Sequence, residues 1–389
     1  MDLKGCNLDT FPPLGARLHT SVTSINLEDN ALTVITKKKL AGLSSLTYLT
    51  LWNNKIKSIE DNSFSHLIAL TGLDIGFNQL TSISKEMFSG LRNLNHLTLW
   101  NNKIKSIEDG SFSHLVALTG LDIGSNQLTS ISKGMFSGIH NLTYLSLWNI
   151  RIKSVEDNLF SHLIALKKLN LGDNLLTSIS KRMFFGLRNL TYLTLLNNKI
   201  KSIEDYSLSH LIALTGLDIG FNQLTSISKE MFSGLRKLNH LTLWNNNIKS
   251  IEDDSFSHLI ALTELNLGSN QFTSIIKGMF YGLPNLTLLN IINNKIKSIE
   301  ADSFIHLIAL TELDLTGNPL TEIGAKAFAA SWYPHGIKLI LDQNFLCCSR
   351  VLYNELSFVN GNCTFEGNLE IFNDSFQTKC PTPCKPEST

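Results

Sequence analysis

The sequence has no net charge, no long apolar run and very little cysteine outside its last 43 residues. Its 389 residues contain 33 Lys+Arg and 33 Asp+Glu. The chain therefore has no net positive charge that would favour binding to nucleic acid or to an anionic membrane surface. A transmembrane helix needs about 18 or more apolar residues in a row, and the sequence has no such run. Met1 is followed by DLKG rather than by a signal peptide, which leaves a mature, a truncated and a cytosolic chain as alternatives.

Motifs that carry chemistry are also missing. No nucleophile stands near an oriented base, and neither a phosphate-binding loop nor a zinc-protease motif is present. We therefore expect no enzyme activity and no cofactor. Six histidines recur every 48 residues, but on a sheet their rings would stand ~10 Å apart, too far to share one metal ion; they are His66, His114, His162, His210, His258 and His306.

What the sequence does contain is one pattern repeated every 24 residues. LTGLDIGFNQL, from Leu70 to Leu80, is one copy of L-x-x-L-x-L-x-x-N-x-L, the leucine-rich repeat signature. The apolar residues of one repeat have no core of their own and are buried by stacking on the next repeat. We predict an α/β leucine-rich repeat solenoid with a curved, parallel, concave sheet and a mostly irregular or 3-10 convex side. The expected domains are a partial first repeat (1–21), thirteen repeats (22–332) and a cysteine-rich cap with a polar tail (333–389).

An asparagine stands at one place in almost every repeat, and its amide can satisfy buried backbone groups of the turn. Cys6 lies 24 residues before Asn30 in this phase, and we expect a buried free thiol there, with an N-terminal disulfide cap as the alternative. Ile150 stands where an asparagine is due and should break the ladder, either as a tolerated defect or as a functional hinge.

The exposed positions of the strands predict a binding surface. Trp52, Trp100, Trp148 and Trp244 alternate with glycines along one column, so we expect aromatic rings ~10 Å apart with slots between them. Exposed Trp and Tyr favour ligand binding, although the rings could instead cover the glycines and stabilise the sheet. The expected ligand-binding residues are Tyr48, Trp52, Asp74, His96, Trp100, Asp122, Tyr144, Trp148, Tyr192, Asp218, His240 and Trp244.

The same face should be acidic. Against Lys167 and Lys168 stand nine carboxylates, which are Glu28, Asp29, Asp74, Asp122, Asp173, Asp218, Glu264, Glu312 and Asp314. We therefore expect a basic or hydroxyl-rich protein or glycan as the ligand, and neither nucleic acid nor a membrane span.

Five of the six cysteines, in Cys347–Cys348 and at Cys363, Cys380 and Cys384, favour a local disulfide framework. With the repeats, this region resembles the C-terminal cap of extracellular leucine-rich repeat proteins such as variable lymphocyte receptors and Toll-like receptor ectodomains. The adjacent cysteines after NFL are more similar to hormone-receptor ectodomains. The resemblance implies bridges Cys347–Cys363 and Cys348–Cys380, with Cys384 left over.

N-x-[ST] sequons favour secretion and stand at Asn141, Asn189, Asn285, Asn362 and Asn373. The resemblance implies an extracellular recognition protein of an immune type that binds on its concave face. The alternatives are a structural or adhesive matrix protein and a cytosolic scaffold or inhibitor.

Overall fold

The chain forms two compact units, Met1–Lys199 and Ile200–Thr389. The computed structural model describes residues 1–12, 21–324, 327, 337–340, 356–359, 362–365 and 369–370, the last three ranges as backbone. Each unit is a leucine-rich repeat solenoid, with a parallel sheet on one side and almost no helix among the described residues. This confirms the predicted fold class. No helix within the described ranges has the length and apolarity to cross a bilayer.

The first unit has one three-residue strand per repeat on its main sheet. Neighbouring strands pair in parallel and in register, so that Leu49 lies opposite Leu73 and Leu73 opposite Leu97. The strands are β1 (Ser24–Asn26), β3 (Tyr48–Thr50), β5 (Gly72–Asp74), β7 (His96–Thr98), β9 (Gly120–Asp122), β10 (Tyr144–Ser146), β11 (Lys168–Asn170) and β13 (Tyr192–Thr194).

Its outer side has two-residue strands and two 3-10 turns, Lys37–Leu40 and Gly134–Phe136. The outer strands are β2 (Val34–Ile35), β4 (Ser58–Ile59), β6 (Ser82–Ile83), β8 (Ser106–Ile107) and β12 (Ser178–Ile179). Here β2 pairs with β4 and β6 with β8. Outer pairing therefore joins the repeats two by two, which matches the 48-residue alternation in the sequence.

The second unit likewise has main strands and outer strands. Its main strands are β15 (Gly216–Asp218), β17 (His240–Thr242), β19 (Glu264–Asn266), β21 (Leu288–Asn290), β23 (Glu312–Asp314), β25 (Ile337–Ile340) and β28 (Leu369–Glu370). Its outer strands are β14 (Ser202–Ile203), β16 (Ser226–Ile227), β18 (Ser250–Ile251), β20 (Ser274–Ile275), β22 (Ser298–Ile299) and β24 (Glu322–Ile323). An antiparallel hairpin of β26 (Leu356–Val359) and β27 (Asn362–Phe365) follows.

The core contains the leucines and isoleucines of the signature together with a row of phenylalanines. Leu49, Leu51 and Phe64 have no exposed surface. The ring of Phe64 stacks on that of Phe88, with centroids 6.2 Å apart, and Phe88 stacks on Phe112 at 6.1 Å. Because each ring is covered by the ring of the next repeat, burial depends on stacking rather than on any single repeat.

The predicted asparagine ladder is present. Nδ2 of Asn54 donates to the carbonyls of Leu27 (2.8 Å) and Leu51 (3.0 Å), and its Oδ1 accepts from the Leu32 N–H at 3.0 Å. The Leu51 carbonyl also accepts from Asn78 at 2.9 Å. Each ladder carbonyl is thus served by two asparagines, whereas each ladder N–H depends on one.

Ile150 breaks this ladder, and the break extends to the outer side. In the repeat pair with Asn102, the N–H groups of Lys103, Lys105 and Glu108 donate to the carbonyls of the preceding repeat at 2.9, 2.9 and 3.0 Å.

In the repeat with Ile150, the N–H groups of Arg151, Lys153 and Glu156 stand at the positions of Lys103, Lys105 and Glu108. Among the described residues they have no such bonds to the preceding repeat, and no outer strand forms at 130–131 or 154–155. Arg151 takes a left-handed conformation, with φ of 62°. Without an asparagine at position 150, the outer segments of these two repeats do not pair.

The expectation of a buried thiol at Cys6 is wrong. Cys6 is free but exposed, and its Sγ donates weakly to the Lys4 carbonyl at 3.7 Å. It belongs to the outermost turn of the first unit, over which no turn of the described chain packs. Cys363 lies in β27, described as backbone, and the remaining cysteines lie outside the described residues: Cys347, Cys348, Cys380 and Cys384.

Candidate functional site: the exposed sheet face

The first residue of each three-residue main strand points away from the core. Tyr48, His96, Tyr144 and Tyr192 are all exposed there, as the strand alternation predicts. These rings do not stand alone, because a Cβ added at Gly72 would lie 2.6 Å from Cδ2 of Tyr48. The ring of Tyr48 therefore lies over the glycine of the following repeat.

Trp100 and Trp148 lie over glycines as well, and the expected slots between the tryptophans of the first unit are filled. A Cβ added at Gly76 would lie 2.9 Å from Nε1 of Trp100, and one at Gly124 would collide with the ring of Trp148. The ring centroids of Trp100 and Trp148 are 6.3 Å apart, rather than the ~10 Å that alternate strands would give. Glycine leaves the space, and the indole of the next repeat occupies it.

Phe77 is a member of this surface that the sequence reasoning missed. It stands in the turn after β5 with φ of 52°, at a place where the neighbouring repeats have Asn53 and Asn101. Its ring meets Trp100 edge-on at 4.7 Å and Trp52 at 5.1 Å. The signal available in the sequence was an aromatic residue at a turn position where the neighbouring repeats have asparagine. Phe77 makes the aromatic strip of the first unit (Trp52, Phe77, Trp100, Trp148) continuous.

The carboxylates between the strand leucines are half-buried and bound to the backbone. Oδ1 of Asp74 accepts from the Gly76 N–H at 2.8 Å, and Oδ1 of Asp122 accepts from the Gly124 N–H at 2.9 Å. Burial raises the pKa of Asp74 above its ordinary 3.8, and Glu28 and Asp122 act in the same direction, while the Gly76 N–H opposes the shift. Burial likewise raises the pKa of Asp122.

The acidic face is less uniform than the sequence indicated, because cations missed in that reasoning lie on it. Nζ of Lys4 lies 2.9 Å from Glu28 and 3.5 Å from Asp29. In the second unit, Nζ of Lys338 lies 3.4 Å from Glu312. The ion pairs of the described residues include none to Asp74, Asp122 or Asp218.

The second unit contains a copy of the same arrangement, six repeats further along the sequence. Phe221 meets Trp244 edge-on at 4.5 Å, and Nε1 of Trp244 lies 2.8 Å from a Cβ placed on Gly220. Oδ1 of Asp218 accepts from the Gly220 N–H at 2.9 Å, and burial raises its pKa. His240 heads the next strand and lies 3.9 Å from Glu264.

Family comparisons agree with the geometry. The family described as "Leucine rich repeat" matches residues 44–99, 92–149, 236–296 and 260–320, and "BspA type Leucine rich repeat region" matches six copies within 129–259. The repeats are leucine-rich repeats. No curated protein sequence matches the chain.

Among solved structures, the leucine-rich repeat chain is similar to one from the Drosophila Toll–Spatzle complex, with 24% identity and a TM-score of 0.75 over 82% of this chain. It spans only 42% of that chain. It also resembles a leucine-rich repeat protein of Leptospira interrogans (25%, TM-score 0.55, 82% and 90% covered) and an internalin of Listeria monocytogenes (20%, TM-score 0.57, 85% of each covered). These similarities establish the fold.

Proposed function

We propose that this is an extracellular recognition protein, and that it binds a basic or hydroxyl-rich protein or glycan on the exposed sheet face. The observation that carries the proposal is the duplicated constellation. Asp74, Phe77, His96 and Trp100 have counterparts six repeats later, in a separate compact unit. The Phe–Trp ring contact and the Asp–Gly hydrogen bond agree between the two copies within 0.2 Å and about ten degrees. The counterparts are Asp218, Phe221, His240 and Trp244.

The fold does not require a negative charge at the position of Asp74 and Asp218. Asn170 and Asn266 stand at the same strand position as Asp74, and their Oδ1 atoms accept from the N–H of Gly172 and Gly268 at 2.9 and 3.0 Å. An amide therefore completes this turn without a buried charge. A half-buried carboxylate with a raised pKa costs stability, and a cationic or hydroxyl-bearing ligand would recover that cost.

The aromatic rings supply the apolar part of the surface. An indole next to a carboxylate offers a face for an Arg or Lys side chain or for the C–H face of a sugar. The proposed contact residues are those predicted from the sequence, to which Phe77 and Phe221 are added. A chain with this fold occurs in the Toll–Spatzle complex, which supports a protein ligand and an innate-immune setting.

A second candidate has one observation in its favour. The exposed free thiol of Cys6 fits a reducing compartment and hence a cytosolic scaffold or inhibitor. Thiol labelling of the protein in its native source separates the two. Labelling at Cys6 alone agrees with the extracellular proposal, and labelling at all six cysteines agrees with the cytosolic one.

The binding experiment uses arrays of glycans and of Arg- or Lys-rich peptides. We expect Trp100→Ala and Trp244→Ala each to weaken binding, and the double variant to lose at least thirtyfold, about 2 kcal/mol. Asp74→Asn should weaken the peptide signal and its salt dependence without disturbing the turn. Lys57→Ala, on the outer side, is the control. Equal array signals for the wild type and the double variant would refute the proposal.

A further inference from the structure

The sequons within the repeats occupy one structural position. Asn141, Asn189 and Asn285 stand just before the main strands β10, β13 and β21, at the N-terminal edge of each sheet, and all three are exposed. Each Nδ2 donates to the carbonyl of the residue 25 positions earlier, at 3.0, 2.9 and 2.7 Å. The three sites therefore have the same loop conformation, set by the repeat.

The hydrogen bond of this loop is compatible with glycosylation. A side-chain amide has two N–H hydrogens, and one of them is enough for the bond to the carbonyl. In oligosaccharyl transfer from a lipid-pyrophosphate donor, the bond from Nδ2 to the sugar C1 forms and the bond from C1 to the pyrophosphate oxygen breaks. The lipid pyrophosphate leaves, and Nδ2 loses one proton to a base. The remaining N–H keeps the loop bond.

Each acceptor carbonyl belongs to an exposed apolar residue. Val116, Ile164 and Ile260 are 52%, 61% and 49% exposed beside Asn141, Asn189 and Asn285. Ile68 and Ile212 are exposed to a similar degree, 60% and 54%, in repeats where no sequon follows, so this exposure belongs to the repeat.

Asn93 provides a natural control. Its Nδ2 donates to the Ile68 carbonyl at 2.8 Å, in the same loop position, but Asn95 stands where a sequon needs Ser or Thr. The edge next to Tyr48 and His96 therefore has the loop without the acceptor sequence. The first sequon of the repeats, at Asn141, comes after Trp52, Phe77 and Trp100 in the chain.

We propose that Asn141, Asn189 and Asn285 carry N-linked glycans along the N-terminal sheet edges, and that the unmodified edge at Asn93 is the side from which a ligand reaches Trp52, Phe77 and Trp100. The first half rests on the proposed extracellular setting, and the second half rests on the proposed binding face. Asn141 and Asn189 stand just before Tyr144 and Tyr192, whereas no sequon stands before Tyr48 or His96, so this part of the sheet edge stays open to a ligand.

The test uses the full chain directed into the secretory pathway of a eukaryotic host. Enzymatic deglycosylation in ¹⁸O water followed by peptide mass spectrometry measures occupancy at each asparagine. We expect Asn141, Asn189 and Asn285 to be mostly occupied and Asn93 to be empty. Unmodified asparagines at all three sites in protein from this pathway would overturn the first half.

Asn95→Thr completes a sequon at Asn93, and the fold accepts it because Thr71 and Thr143 hold the equivalent position, with Oγ1 bonds of 3.0 and 2.9 Å to the preceding repeat. Asn95→Val is the matched control without a hydroxyl. We expect a glycan at Asn93 in the Thr variant alone, with at least a tenfold loss of array binding. A glycosylated Thr variant that binds as well as the Val variant would overturn the second half. No array binding by wild-type protein would instead refute the proposed function and leave the occupancy result standing.

Discussion

Ile150→Asn should stabilise the first unit, because it supplies the ladder residue that this repeat lacks. By analogy with Asn102, the new Oδ1 would accept from the Leu128 N–H, and Nδ2 would donate to the carbonyls of Ile123 and Leu147. Those two carbonyls already accept from other ladder asparagines. The group that gains most is the Leu128 N–H, in a residue that is 1% exposed.

The gain and the loss can be set against each other. Satisfying the buried Leu128 N–H is worth about 1 kcal/mol, and restoring the outer bonds of Arg151, Lys153 and Glu156 about 1 kcal/mol each, which gives about 4 kcal/mol. Ile150 is fully buried, and replacing its side chain costs about 3 kcal/mol. We therefore expect the free energy of unfolding to rise by about 1 kcal/mol.

Urea melts measure the net change, and native-state hydrogen exchange localises it. Exchange of the amides at 128, 151, 153 and 156 should slow in Ile150→Asn. Ile152→Asn is the control, since Ile152 is equally buried but its side chain does not stand at the ladder position, although its N–H donates to Asn174. It should destabilise by about 3 kcal/mol. A lowered urea midpoint for Ile150→Asn with unchanged exchange at these amides would refute the reasoning.

Three further predictions follow from the same contacts. Asp74→Asn should raise the free energy of unfolding at neutral pH. The pKa of Asp74 in the folded protein lies above the ordinary 3.8, so the stability of the wild type falls as the pH rises from 3.8 through the folded pKa, and the stability gain of the variant should vanish near pH 3.8 in urea melts. Parallel stability–pH profiles of the two proteins would contradict this. Phe77→Ser introduces the residue that stands at Ser125, also with positive φ, and should lower array binding about tenfold while moving the thermal midpoint little; unchanged binding would exclude Phe77 from the site. Non-reducing peptide mapping should find Cys6 reduced and two bridges among Cys347, Cys348, Cys363 and Cys380, and a bridged Cys6 would contradict it.

Much of the architecture could be predicted from the sequence because each repeat carries the same local instructions. The spacing of Leu49 and Leu51 fixes which side of a strand is buried, and the recurring asparagine satisfies the turn that follows. Those patterns predicted the parallel solenoid, the ladder and the exposure of Tyr48, whereas Trp100 is half-buried because it packs on the neighbouring repeats. The position of the ladder break at Ile150 could also be read directly from the sequence.

What only the tertiary structure decided depends on residues about 24 positions apart in the sequence. The tilt of Trp100 over Gly76 closes a slot that strand spacing alone would leave open, and Lys4 reaches Glu28 in the next repeat. The missing outer bonds of Arg151 show how far one side chain's effect extends. The local sequence sets the position of a residue in its strand. The orientation of its side chain, its ion partners and its pKa are set by the repeats stacked on either side, because side-chain orientation and exposure to water are fixed only when those repeats pack together.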